Sequence, residues 1–232
     1  MQVEIWSDVV CPWCYIGKRR FEKALADFEH ADEVTVRWRS FELDPNAAFL
    51  PGRSMAEQLA AKYGRTVEQA GEMLRSMDRM AAAEGLDYDL ASTTGGNTFD
   101  AHRLLHLAED HGLGPDMKEA LLHTYFVERV AVSDPDVLRR VAAKVGLPAA
   151  EVEEVLAGDR YADAVRADER EAHELGCTGV PFAVVDRKFA VPGAQEPDTF
   201  LAVLRRAWDQ AHPVLETVEG GGPSCDGDSC SI

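Results

Sequence analysis

The sequence predicts an α/β protein whose single sheet is assembled from the two outer parts of the chain and interrupted by a large all-helical insertion. Three observations predict it. Apolar, β-prone runs occur near the start of the chain and again after residue 177, with none between. The long middle stretch repeats its apolar residues at three- and four-residue spacing, the period of an amphipathic helix. The opening reads strand, helix, strand, a connection that sets the two strands parallel.

The first strand is VEIWS (3–7), short and apolar. From Pro12 to about His30 the pattern is helical, with Cys14, Gly17, Phe21, Ala24, Leu25 and Phe28 on one face. Pro12 suits the first turn, where a missing N–H costs no intrahelical bond. In EVTVRWRSFEL (33–43), Val34, Val36 and Trp38 alternate with Thr35, Arg37 and Arg39, a second strand. After DPNAAFLPG (44–52), helices are expected near 54–63, 66–84, 98–111, 115–129, 135–145, 148–157 and 161–175. Thr66 and Gln69 have the spacing of a capping box. Asn97 can cap a helix from Thr98, while Gly85, Gly112, Gly146 and Gly158 stand where helices should stop. VPFAVVD (180–186) is a strand covered on both faces. Arg187 and Lys188 turn it into FAV (189–191), and a last helix runs from about Pro197 to Ala211. The expected organisation is a sheet domain of residues 1–44 plus 177–212, a helical domain of 45–176, and a Gly-, Ser- and Asp-rich tail, 213–232, whose composition predicts flexibility.

The chain of 232 residues carries 24 basic and 41 acidic side chains, a net charge of −17. Such a field repels nucleic acid and anionic lipid, so neither is expected as a partner. No run approaches the ~20 apolar residues that span a bilayer. Met1 is followed by QVEIW, without the basic and apolar regions of a secretory signal, so a cytoplasmic location is expected. There structural disulfides are rare, and five cysteines point to thiol chemistry or metal binding.

Cys11 and Cys14 sit in SDVVCPWCYIG (7–17), where a strand gives way to a helix. Unpaired N–H groups and the dipole at a helix N-terminus favour a thiolate, so Cys11 is expected to be the nucleophile. The dipeptide between the cysteines is uncharged, which leaves the helix terminus to supply most of that stabilisation. Cys14, one turn on and facing the core, is the resolving thiol, so that Cys11 points outward and Cys14 inward. Pro12 and Trp13 between them would border the substrate, and Asp8 either tunes the thiol or ends the strand. A zinc site needs two more ligands, and Cys225 and Cys230 lie far off at an untypical spacing. His102 and His106, four residues apart on one helix, lack a third ligand. No metal and no cofactor is therefore expected. Two inert buried cysteines are the bland alternative, disfavoured by their position. Lone Cys177 reads as a buried filler. Pro181, in TGVPF (178–182), opens a strand in which it cannot donate a hydrogen bond, and a cis Val180–Pro181 bond is one solution.

Together SDVVCPWCYIG, NTFDAHRLLHLA (97–108), GVPF and VPGAQ resemble the DsbA family of thioredoxin-fold proteins, most closely its cytosolic FrnE-type branch. The resemblance runs from the first strand to the last helix. It implies a thioredoxin-like fold interrupted by a helical domain, and a thiol–disulfide oxidoreductase or isomerase acting on protein thiols or disulfides. It also implies glutathione or thioredoxin as electron partner. Cys11 and Cys14 match the redox-active pair. Pro181 matches the cis-proline facing that pair, with Val180 beside an extended substrate. Asn97 and His102 match a segment towards the groove, although a helix cap and a partly exposed histidine would serve equally. CDGDSC (225–230) matches a C-terminal C-x4-C pair of that branch, an accessory redox pair able to exchange with the first. Kappa-class glutathione transferases and 2-hydroxychromene-2-carboxylate isomerases are similar over the first motif but carry Ser in place of Cys11. They leave a glutathione-dependent small-molecule enzyme as the alternative.

Overall fold

A computed structural model describes residues 1–48 and 52–213, and the backbone of residues 225–226 and 229–230. Its sheet uses β1 (Gln2–Ser7), β2 (Thr35–Ser40), β3 (Phe182–Val185) and β4 (Phe189–Pro192), in the order β2-β1-β3-β4. β1 runs parallel to β2, with Val3 opposite Val36 and Ile5 opposite Trp38. It runs antiparallel to β3, with Ile5 opposite Ala183. β1 is central and buried along its length after Gln2, including Glu4, whose carboxylate is held by Arg39 and Arg187.

The side-chain period of two splits the sheet's neighbours into two layers. On one face Val3, Ile5 and Trp38 meet α1 (Pro12–Ala26) and α9 (Pro197–Ala211) through Phe21, Phe28, Phe200 and Leu204. Phe21 and Phe200 pack edge to face at 5.7 Å. On the other face Trp6, Phe182 and Val184 surround Cys11, Cys14, Cys177 and Val180.

Between β2 and β3 lie α2 (Met55–Tyr63), α3 (Val67–Ala83), α4 (Phe99–Asp110), α5 (Gly114–Phe126), α6 (Pro135–Val145), α7 (Ala149–Ala157) and α8 (Ala162–Glu174). Their shared core includes Leu104, Leu107, Met117, Leu121, Phe126 and Leu138. α5 and α8 pack against β2, the edge strand. The Thr66–Gln69 capping box forms as expected, and Ser54 with Glu57 forms a second at the head of α2. Gly146 closes α6 in the left-handed region at φ 98°, a conformation that costs residues with a Cβ more than glycine.

α7 stops at Gly158 as expected, with extended backbone rather than a left-handed cap. One local expectation is corrected. The hairpin turn falls one residue early, on Asp186 and Arg187, both at positive φ, and Lys188 N–H closes it on Val185 O at 3.0 Å. Far along the chain, β5 (Cys225–Asp226) pairs antiparallel with β6 (Ser229–Cys230), with Cys225 opposite Cys230. Their side chains, and the rest of the predicted tail beyond residue 213, lie outside the described residues. No helix among the described residues is long and apolar enough to cross a membrane.

Candidate active site

β1 ends at Ser7, and four residues later Cys11 caps α1 in an extended conformation, φ −85° and ψ 115°. Cys14 N–H donates to Cys11 O at 3.0 Å, closing the first turn. Both cysteines are free thiols. The expected outward Cys11 is corrected: it is 3% exposed against 1% for Cys14, and Trp13, at 37%, is the residue that reaches solvent. The cover comes from the segment before β3. Cys11 Sγ lies 3.5 Å from Val180 O, and the Val180–Pro181 bond is cis. Gly17 admits that segment, because a Cβ there would stand 2.9 Å from Pro181 Cγ. Pro181 and Val180 are thus brought to the pair as the sequence suggests. Cys177, buried as a filler should be, joins the same cluster, its thiol directed at Gly179 O at 3.3 Å.

The thiols titrate as a pair. For Cys11 the largest influence is its hydrogen bond with Cys14, followed by burial, and its proton is held well above the usual thiol range. Burial also raises Cys14, but the Cys11 hydrogen bond, the Lys118 charge and the Ser7 hydroxyl together bring it below that range. The first ionisation therefore belongs to the pair, which shares the remaining proton between its two sulfurs. The helix terminus is not alone in favouring the thiolate. A buried ammonium and a serine hydroxyl contribute from below.

That lower side holds a buried set of polar groups. Asp8 Oδ1 accepts Val9 N–H at 2.7 Å and lies 3.3 Å from His102 Nε2, while its Oδ2 accepts Leu43 N–H at 2.8 Å. Burial opposes ionisation of Asp8, but His102, Leu43 N–H and Lys118 outweigh it and keep the carboxyl below the ordinary range. Asp8 therefore ends the strand and also bears on the thiols. His102 is fully buried, not the half-exposed helix histidine considered above. Lys118 from α5 is also fully buried and donates to Ser7 O at 3.1 Å. It has no counterpart among the sequence candidates. The signal was present: Lys118, Leu121, Leu122 and Tyr125 share one helical stripe, and a lone cation on such a stripe needs a partner. Tyr88, also missed, donates its hydroxyl to Pro12 O at 3.1 Å and anchors the active-site turn.

Asn97 stands further off and acts as a connector. The cap expected of it falls one residue on, at Thr98, which makes no side-chain capping bond. Asn97 Oδ1 accepts Phe99 N–H at 2.8 Å just ahead of the helix, and its Nδ2 donates to Pro45 O at 2.9 Å and Glu42 Oε1 at 3.2 Å. His106 does not share a ligand with His102. Its Nε2 lies 3.2 Å from Ser40 Oγ and 3.3 Å from Asp168 Oδ2. Among the described residues no group of three or more His, Cys, Asp or Glu is arranged to hold a metal. The Cys225 and Cys230 side chains are outside the described residues.

Residues 2–205 match the family model described as DSBA-like thioredoxin domain. A crystal structure of a probable DsbA oxidoreductase from Streptomyces coelicolor is 46% identical, with a TM-score of 0.86 over all of this chain and 99% of that one. A 2-hydroxychromene-2-carboxylate isomerase shares the fold at 15% identity and a TM-score of 0.68, over 91% of this chain and 98% of its own. The cytosolic disulfide reductase DsbM from Pseudomonas aeruginosa, solved with glutathione, shares it at 18% identity and a TM-score of 0.57, over 90% and 99%.

Proposed function

Because the chain belongs to the DSBA-like thioredoxin domain family, we propose that it is a thiol–disulfide oxidoreductase of protein substrates, working in the cytoplasm and belonging to the FrnE-like branch. The observation that carries this reading is the pair of free thiols one turn apart at the start of α1, set against the Val180 carbonyl. The pair's shared proton moves to Cys14, and the Cys11 thiolate so formed attacks one sulfur of a substrate disulfide, forming a mixed disulfide and expelling the other sulfur as thiolate. Cys14 thiolate then attacks Cys11 Sγ, the bond to substrate breaks, and the second substrate sulfur leaves as thiolate. Substrate gains two electrons and two protons, and the cysteine pair becomes a disulfide. Glutathione or thioredoxin restores the dithiol, and the Cys225/Cys230 pair is an accessory exchange partner, a role supported by its C-x4-C spacing. Pro12, Trp13 and the Val180–Pro181 edge border the substrate, with Trp13 offering exposed apolar surface.

The small-molecule isomerase reading rests on a shared fold alone, and two thiols brought together here count against it. The test is reduction of a generic protein disulfide by wild type, Cys11→Ser, Cys14→Ser and a chain ending at residue 212. Cys11→Ser is expected to lose the activity, and Cys14→Ser to accumulate mixed disulfide. Full activity in Cys11→Ser sinks the proposal. Activity that depends only on the tail would reassign it to Cys225 and Cys230.

A further inference from the structure

A lysine almost never sits fully buried without a partner of opposite charge. Lys118 does sit so, and no carboxylate lies within ion-pair distance of its ammonium among the described residues. Its hydrogen bond is to Ser7 O at 3.1 Å, and the Trp38 ring centroid lies 5.6 Å away. Ser7 Oγ, also buried, has no nitrogen or oxygen partner and neighbours the Cys14 sulfur. On the next residue, Asp8 keeps a buried carboxylate on backbone N–H groups and His102, whose Nδ1 is left without a partner. The two thiols therefore rest above one buried cation and one buried anion, delivered by α5 and by the β1–α1 turn.

We infer that Lys118 is the positioning cation of the redox pair: held by Ser7 O beside Cys14, it favours the thiolate that Cys14 must become, while Asp8 sets the opposing charge. This rests on the exchange chemistry proposed above. In the resolving step the Cys14 proton passes to solvent and the thiolate remains beside the ammonium. The new Cys11–Cys14 bond then consumes that charge, and the departing substrate thiolate takes up a proton from water. The helical segment is thereby part of the redox centre. Lys118 feels Cys14, Asp8, Cys11 and Lys18, and burial brings its own ammonium down to about 8. The thiols also face Tyr88 and Cys177, both held neutral by burial, so neither competes for this role.

The test follows thiolate ultraviolet absorbance against pH in the fully reduced full-length protein, with folding checked by circular dichroism. An opposite charge at close range lowers a thiol's pKa by about one to three units. Lys118→Met should therefore raise the first ionisation midpoint by at least about one pH unit and slow resolution at neutral pH about tenfold. Asp8→Asn should move the same midpoint down. Opposite shifts are the signature, since a merely structural role would not reverse sign with charge. Lys118→Gln keeps a donor for Ser7 O without the charge, and it replaces Lys118→Met if that variant does not fold. An unchanged midpoint in the folded neutral variant, or shifts of the same sign in both positions, overturns the inference. If wild type exchanges disulfides through Cys11 while Lys118→Met titrates normally, this inference alone fails. If Cys11→Ser remains active, the functional proposal fails with it.

Discussion

Two residues four apart on α4, His102 and His106, each lie 3.3 Å from a buried aspartate, and their surroundings differ in one respect. Asp168 itself is fully held, although Glu109 Oε1 nearby is buried without a partner. Arg39 donates to Oδ1 at 2.7 Å, Ser40 N–H to Oδ2 at 2.9 Å, and Arg39 goes on to Glu4 and Glu171. Around Asp8 more capacity is left open: His102 Nδ1 lacks a partner, Ser7 Oγ has only the Cys14 sulfur beside it, and Lys118 has a carbonyl where a carboxylate would be expected. A closed network fixes β2 to α8. An open one leaves interaction capacity beside a group whose charge changes during reaction. Unsatisfied buried polar groups are rare enough that their place under two thiols is informative.

The largest expected effect comes from breaking the closed network. Arg39→Met leaves Asp168, only 3% exposed, without its arginine, while Glu4 keeps Arg187. Removing one partner of a buried ion pair costs about 3–5 kcal/mol. Urea denaturation should show a loss of that order, while the folded variant keeps the wild-type thiol titration. A shifted titration at unchanged stability would show that the two networks are not separable.

A smaller effect sharpens the contrast at the histidines. His106→Gln should cost about 1–3 kcal/mol through a poorly satisfied buried carboxylate, without moving the thiol midpoint. His102→Gln weakens the support of the Asp8 carboxylate and should move that midpoint at a comparable cost in stability. Thiolate absorbance and denaturation on the two variants decide this. Equal behaviour would remove the distinction drawn between them.

Which parts of this were readable in one dimension follows from how local each cause is. Helix ends came through because Thr66 and Gly146 act on backbone within a few residues, and the start of α4 came through to within one residue of Asn97. The cysteine pair and Pro181 came through because strand, turn and helix surround them in sequence. The burial of Cys11 did not, since its cover is Val180, 169 residues away. Lys118 was visible as an oddity on an apolar stripe, but only the packing of α5 on the sheet edge says that its neighbour is Cys14. The partners of His102 and His106 were hidden for the same reason. Helical spacing shows that they share a face, not that the face meets two different aspartates.

The smallest effect concerns a third charged cluster, half exposed, which clamps α1 to α5 and so holds Lys118 in place. Glu119 accepts from Tyr15 Oη at 2.6 Å and pairs with Lys18 and Arg19. Burial opposes its ionisation, but Arg19, Lys18 and Tyr15 prevail and draw the carboxyl down to about 2. A depressed carboxyl stabilises the fold above its unfolded value and loses that contribution as pH falls through the folded one. Glu119 therefore adds stability near neutrality that fades between about 4.5 and 2. Solvent screening at a side chain 34% exposed limits the amount to about 1 kcal/mol. Glu119→Gln should lose that much in urea at neutral pH and converge with wild type towards pH 2. A gap that stays constant over that range would show that the clamp works through packing rather than charge. It would also leave Lys118 held by the apolar stripe of α5 alone.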